Sequence, residues 1–144
     1  MNPHSTILII EDNPDDVFFM QRACKAAEFQ NPLQVAVDGQ QAIDYLAGTA
    51  PFADREVFPL PCLVFLDLKL PRKNGHEVLQ WIRSREEFVT LIVVALTTSR
   101  EPSDITEAYR RGANAYLVKP TSPTHLAEML SSVKKFWIEN NIVE

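Results

Sequence analysis

The chain alternates short, continuous apolar runs with longer amphipathic stretches. The first run, Thr6 to Ile10, is β-branched or aliphatic throughout and stops at Glu11-Asp12-Asn13-Pro14. A run without polar alternation suits a strand buried on both faces, as in a parallel sheet. Asn13 then reads as the cap of a helix whose first turn holds Pro14, Asp15 and Asp16. These are residue types that a helix start favours through its free N–H groups and its dipole. Val17, Met20, Cys24 and Ala27 form an inward stripe at helical spacing, which carries this helix to about Glu28.

The same alternation continues to the end. Further strands are expected at Leu33 to Val37, Cys62 to Leu66, Leu91 to Leu96 and Ala115 to Val118. Helices are expected near Gly39 to Ala47, Gly75 to Glu86 (stripe Val78, Leu79, Ile82) and Pro102 to Gly112, with Gly112 as a cap. Pro123 opens a last helix with Leu126, Met129, Leu130, Val133 and Trp137 inward. Strand and helix in strict succession imply an α/β fold, a doubly wound parallel sheet with helices on both faces. The irregular stretch Gly48 to Pro61, with Pro51, Pro59 and Pro61, is long for a connection in such a fold. It reads as either a local elaboration or a contact surface.

Composition narrows the classes. With 144 residues and 46% hydrophobic content, the chain has room for one domain over 1–144 with a real core. A net charge of -5 without a basic face argues against a nucleic-acid partner. Cys24 and Cys62 have no metal-ligand spacing and no need of a disulfide at this size. Neither a signal peptide nor a run of about 20 apolar residues is present, so the expectation is a cytoplasmic protein without membrane insertion.

The chemistry follows from where each apolar run stops. In open parallel sheets, sites form outside the carboxyl ends of the strands. Glu11 and Asp12 follow the first strand, Asp67 the third, Thr97 the fourth and Lys119 the fifth. Three carboxylates on one edge repel one another unless a cation neutralises them. Lys119 and a divalent ion would do so, and an all-oxygen ligand set suits Mg2+ (or Mn2+) with waters completing its shell. A free carboxylate oxygen there could attack a phosphoryl group while the metal and Lys119 balance its charge. Thr97 is placed to donate to a further phosphoryl oxygen.

The segments IIEDNPDD, LVFLDLKLPRKNG, VVALTTS and YLVKP closely resemble those of response regulator receiver domains in two-component signalling, in the same order and at the same spacings. The resemblance implies the flavodoxin-like strand order 2-1-3-4-5 with five helices. It makes Asp67 the phosphoacceptor, with Thr97 and Lys119 as its catalytic partners, and Glu11 and Asp12 the acidic metal pair. The backbone carbonyl of Lys69 becomes a metal ligand, and Thr97 and Tyr116 the switch residues. It also implies a cis bond between Lys119 and Pro120. The long loop and LDLKLPRKNGHEVL look more specifically like the stand-alone regulators of bacterial and cyanobacterial phytochromes, which implies a photoreceptor histidine kinase as phosphoryl donor. The chain would catalyse only its own phosphorylation and dephosphorylation, with output through protein contacts or onward phosphotransfer.

Several positions remain open on sequence. Lys69 and Ser99, each two residues beyond a site residue, border the path of a hydrolytic water and are expected to set the dephosphorylation rate. Tyr116 reads otherwise as a half-buried edge aromatic, and Asp15 and Asp16 as helix-start charges. His4, His76 and His125 read as surface residues. Phe18 and Phe19 are either buried under neighbouring loops or a docking surface for a kinase helix bundle. Trp137 is expected inward and Phe136 and Ile138 outward, which points to a homodimer through the fourth helix, fifth strand and last helix. A phosphatase of the haloacid-dehalogenase type would need an acid where Lys69 stands. A flavodoxin would need a phosphate loop where Glu11 and Asp12 would repel one.

Overall fold

Four aliphatic residues, Ile7–Ile10, form strand β1 and are wholly buried, because side chains alternate between two covered faces. Ile7 and Ile9 enter one core; Leu8 and Ile10 enter the other. The computed structural model describes residues 4–141, so the ends of the expected 1–144 domain lie outside the described residues. The elements that follow are α1 (Pro14–Ala26), β2 (Leu33–Ala36), α2 (Gly39–Ala47), β3 (Leu63–Leu66), α3 (Gly75–Ser84), β4 (Ile92–Thr97), α4 (Pro102–Arg110), β5 (Ala115–Val118) and α5 (Pro123–Val133). All strand pairs are parallel, in the order β2-β1-β3-β4-β5. This is the expected doubly wound, flavodoxin-like sheet. Met20, Ala23 and Cys24 of α1 and Leu126, Leu130 and Val133 of α5 cover one face. Helices α2 and α3 cover the other through Ala42, Tyr45, Leu46, Val78, Leu79 and Ile82, and Ala108 of α4 completes it beside Ala95.

Local chemistry sets the helix starts. The Asn13 side chain accepts from the N–H groups of Asp15 and Asp16 (2.9 and 3.3 Å), with Pro14 in the first turn. Asn74 and Glu77 form a reciprocal capping box at α3. Helix α1 ends at Ala26, short of the expected Glu28, because Glu28 adopts a left-handed conformation (φ 63°). Gly112 (φ 106°) follows the end of α4, as its position suggested.

The stretch after α2 is folded back onto the end of that helix. The Arg55 guanidinium donates to the carbonyls of Tyr45, Leu46 and Phe58 (2.8, 2.9 and 3.2 Å), satisfying orphan groups at the α2 C-terminus. Tyr45 Oη donates to the Pro59 carbonyl (2.7 Å), and its ring packs against Phe52 and Phe58. Val57 and Leu60 stay exposed on this loop.

Two expectations fail here. The Lys119–Pro120 bond is trans, and among the described residues the cis bond is Ala50–Pro51. The trans preference of an X–Pro bond is small, so sequence does not choose between the isomers. In the last helix, Ile138 is buried, Trp137 half-buried and Phe136 exposed. The chain winds as a π-helix over Lys134–Asn140. Hydrogen bonds to the fifth residue rotate the inward register, so that Ile138 is buried while Trp137 packs against the core half-buried.

The carboxyl end of β3 is held by close backbone approach. A Cβ on Gly75 would stand 2.5 Å from the Leu68 Cα and meet the Asp67 carbonyl, while its own N–H donates to the Leu68 carbonyl (3.0 Å). Gly75→Ala should therefore cost roughly 1–3 kcal/mol of stability, measured by urea unfolding; no change would mean that the segment relaxes freely. Ile138→Ala should cost about 2–5 kcal/mol and Phe136→Ala under about 0.5 kcal/mol, an order that a regular α-helical register would not produce.

Candidate functional site

Strand pairing continues one residue past β1 and β3 and so delivers the acidic side chains. Glu11 N–H donates to the Ala36 carbonyl and Asp67 N–H to the Ile10 carbonyl, both at 3.0 Å. Glu11, Asp67 and Thr97 are buried; Asp12 is exposed. Ligand oxygens of Glu11, Asp12 and Asp67 all lie within 4.8 Å of one another. Three hard oxygen donors at that spacing fit one divalent cation of the Mg2+ or Mn2+ type, with room left for waters.

Lys119 enters from the end of β5, its N–H anchored on the Thr97 carbonyl (2.8 Å). Its ammonium donates to Glu11 Oε2, to Asp67 Oδ2 (3.0 Å) and to Asp16 Oδ2 (3.2 Å), which uses all three of its donors. The remaining oxygens are also held: Glu11 Oε1 by the Asn13 N–H (3.1 Å) and Asp67 Oδ1 by the Lys69 N–H (3.1 Å). The side chain of Lys69 turns away, with Nζ 3.7 Å from Asp104. Thr97 Oγ1 lies 3.5 Å from the Ser99 N–H, and Tyr116 Oη donates to the Ser99 carbonyl (2.9 Å).

The charges are tuned by this packing. Burial, together with the adjacent Asp67, pushes the Glu11 carboxyl up to about 7. Burial also works against Asp67 ionisation, but hydrogen bonding from Glu11 and the Lys119 charge outweigh it, and its value is lowered. For Lys119, burial acts downward, and the bond to Glu11 and the charge of Asp67 reverse that, raising its value. Without metal, Glu11 is therefore the carboxyl of the pair that takes up a proton more readily, and Asp67 the one that stays ionised more readily.

Glu11, Asp12, Asp67, Thr97 and Lys119 thus meet at one edge as expected, with Tyr116 one step behind. Asp16 stands in the first turn of α1 as a helix-start charge, and it has a second contact that the sequence reading did not include. It is the third carboxylate on Lys119, and its place four residues after Asp12, facing the site from the first turn of α1, was the available signal. His76 is not a surface residue either. It is half-buried, with Nε2 3.2 Å from Asp104. Phe18 and Phe19 are 52% and 46% exposed, which removes the reading of a wide buried stripe. A groove of about 300 Å³ runs from Lys119 and Pro120 to Phe19, Met20 and Leu126.

Residues 7–131 match the response regulator receiver domain, and the chain belongs to that family. Among its relatives, it is 33% identical to response regulator Rcp1 of Synechocystis sp. (strain ATCC 27184 / PCC 6803 / Kazusa), over 96% of this chain and 92% of Rcp1. The Mn(2+)-bound form of Rcp1 superposes with a TM-score of 0.86 at 31% identity, covering 97% of this chain and 99% of that one. Response regulator RPA3017, from red light signaling of R. palustris, gives 0.91 at 37% identity, covering 97% and 98%. The phosphorylated cyanobacterial phytochrome response regulator RcpA gives 0.89 at 30%, covering 96% and 97%. Among the described residues, no helix is long and apolar enough to cross a membrane.

A pH dependence follows. A carboxyl raised from 4.5 to about 7 favours the folded state fully below about pH 4.5 and loses that contribution as pH rises through 7. In EDTA, stability from urea unfolding should fall between about pH 5 and 8, by at most about 1.4 kcal/mol per unit from this group. Mg2+ should restore more stability at pH 8 than at pH 5, and Glu11→Gln should flatten the profile. An unchanged slope in Glu11→Gln would assign it to another group.

Proposed function

We propose that this chain is a stand-alone response regulator, a single receiver unit over 1–144, whose Asp67 accepts a phosphoryl group from a histidine kinase. The observation that carries this reading is the Lys119 ammonium bridging Asp67 and Glu11 at an edge where three carboxylates converge. An ionised Asp67 oxygen attacks the phosphorus of a phosphohistidine, the P–N bond breaks, and the imidazole leaves with the electron pair. Lys119 is already in place to pair with a phosphoryl oxygen, and burial strengthens that pairing. Thr97, at the end of β4, donates to another oxygen, and Tyr116 responds through Ser99. A divalent ion held by Glu11, Asp12, Asp67 and the Lys69 carbonyl would add positive charge against the phosphoryl oxygens. Water later cleaves the acyl phosphate to free Asp67 and phosphate. The protein transforms no other substrate.

A phytochrome-type kinase is the donor this reading favours, because RcpA and RPA3017 are regulators of phytochrome and red-light signalling. Exposed Phe18 and Phe19, of which Phe19 lines the groove beside Lys119, supply an apolar docking surface for a kinase helix bundle. Output passes through protein contacts or onward transfer, with a homodimer through α4, β5 and α5 supported by exposed Tyr109 and Phe136. The expected place of action is the cytoplasm.

Intact-mass spectrometry after incubation with acetyl phosphate tests the acceptor. Wild type with Mg2+ should gain about 80 Da, one phosphoryl group. EDTA or Asp67→Asn should abolish the adduct. Absence of an adduct on folded wild type, or persistence in Asp67→Asn, would overturn the assignment.

A further inference from the structure

Ser99 commits every polar group it has. Its N–H faces Thr97 Oγ1 (3.5 Å), its carbonyl accepts from Tyr116 Oη (2.9 Å), and its Oγ donates to Asp104 Oδ2 (2.5 Å) while accepting from the Glu101 N–H (3.3 Å). Two of those bonds lead to the two switch positions. The two Oγ bonds lead out of the site to α4, one to the Glu101 N–H at its N-cap and the other to Asp104 inside its first turn.

Asp104 occupies the third position of α4, where an acidic side chain ordinarily folds back onto the helix start. Here it is spent on tertiary contacts instead. Oδ1 lies 3.2 Å from His76 Nε2 on α3, and Oδ2 takes Ser99 Oγ and stands 3.7 Å from Lys69 Nζ. The N-cap residue Glu101 supplies no side-chain bond, so the start of α4 is held by Asp104 rather than by its own cap. His76 Nδ1 is buried without a partner, which leaves Nε2 as the nitrogen that engages Asp104. The bonds to Ser99 and His76 hold the carboxyl of Asp104 below the usual range.

We infer that Asp104 is a positioning residue that couples Thr97 and Tyr116 to the first turn of α4 through Ser99, with the half-buried His76 as its abutment. The inference rests on the receiver reading of Asp67 given above. When Thr97 turns its hydroxyl to a phosphoryl oxygen, the Ser99 N–H loses its long contact, and Ser99 can shift only with its Asp104 bond. A ligand moves an equilibrium only through contacts that differ between the two states, and this bond supplies such a contact to α4. A purely local role, in which the Asp104 charge supports the helix dipole, would act equally with and without phosphate.

The two roles separate in hydrogen-exchange mass spectrometry of the full chain, with and without acetyl phosphate and Mg2+, corrected for the phosphorylated fraction by intact mass. Wild type should show a phosphorylation-dependent change in exchange over Pro102–Arg110 of roughly fivefold or more, a typical coupling. Asp104→Ala should still gain the phosphoryl mass but lose most of that difference. Asp104→Asn, which keeps an acceptor for Ser99 Oγ, should restore it. Faster α4 exchange in Asp104→Ala by the same factor in both states would reduce Asp104 to a helix-start residue and overturn the proposal. So would a wild type that carries the adduct without any change in α4. Failure of wild type to take the adduct is a different result, and it would remove the receiver reading itself.

Discussion

One ammonium group against three carboxylates is the constraint on which the working edge of this protein depends. Glu11 and Asp67 are buried, and neither could stay there ionised beside the other without a counter-charge. Lys119 supplies it from the far side of the sheet, two strands from β3, and so ties the ends of β1, β3 and β5 together. Asp16 adds the tie to α1. The same arrangement leaves the site short of positive charge. Three carboxylates contact a single lysine, and the exposed Asp12 adds a fourth negative charge beside Glu11 and Asp67. A site in that condition favours a divalent cation.

The rest of the fold divides between holding this edge still and letting one part of it move. The β3 side is rigid. Gly75 lies against the Asp67 and Leu68 backbone, an asparagine capping box starts α3 at once, and the α2 side is braced by Arg55 and the ring cluster of Tyr45, Phe52 and Phe58. On the β4 side, Thr97 is followed by a segment held by single hydrogen bonds to Thr97, Tyr116 and Asp104. Helix α4 adds only Ala108 to the buried core, fewer side chains than any other helix contributes. Elements with few buried apolar contacts are those that open or shift at low cost. The less firmly packed half of the sheet thus stands next to a firmly held Asp67.

Much of this was legible before any coordinates. Unbroken aliphatic runs such as Ile7–Ile10 can be buried on both faces only in a covered parallel sheet, so the fold class followed from them. The site followed as well, because Glu11, Asp12, Asp67, Thr97 and Lys119 each stand directly after such a run. Residues whose roles come from the chain itself were read correctly. Asn13 and Gly112 act on their neighbouring peptide groups, and sequence contains those neighbours.

What sequence left undecided depended on distance in space. Asp16, His76 and Asp104 sit on three helices; the spacing of Asp16 from Asp12 is a local signal, but nothing in the segments of His76 and Asp104 says that they face Asp104 and Ser99. The burial of Ile138 turned on a π-helical register, and the exposure of Phe18 and Phe19 on how α1 packs against its neighbours. Sequence by itself determined the period of each element and the strand end at which each polar residue emerges, since both are set by bonding along the chain. Tertiary structure alone decided which carboxylate pairs with which cation. Such pairs form across more than a hundred residues, as between Glu11 and Lys119, and their strength depends on an exclusion of water that only the packed sheet and helices provide.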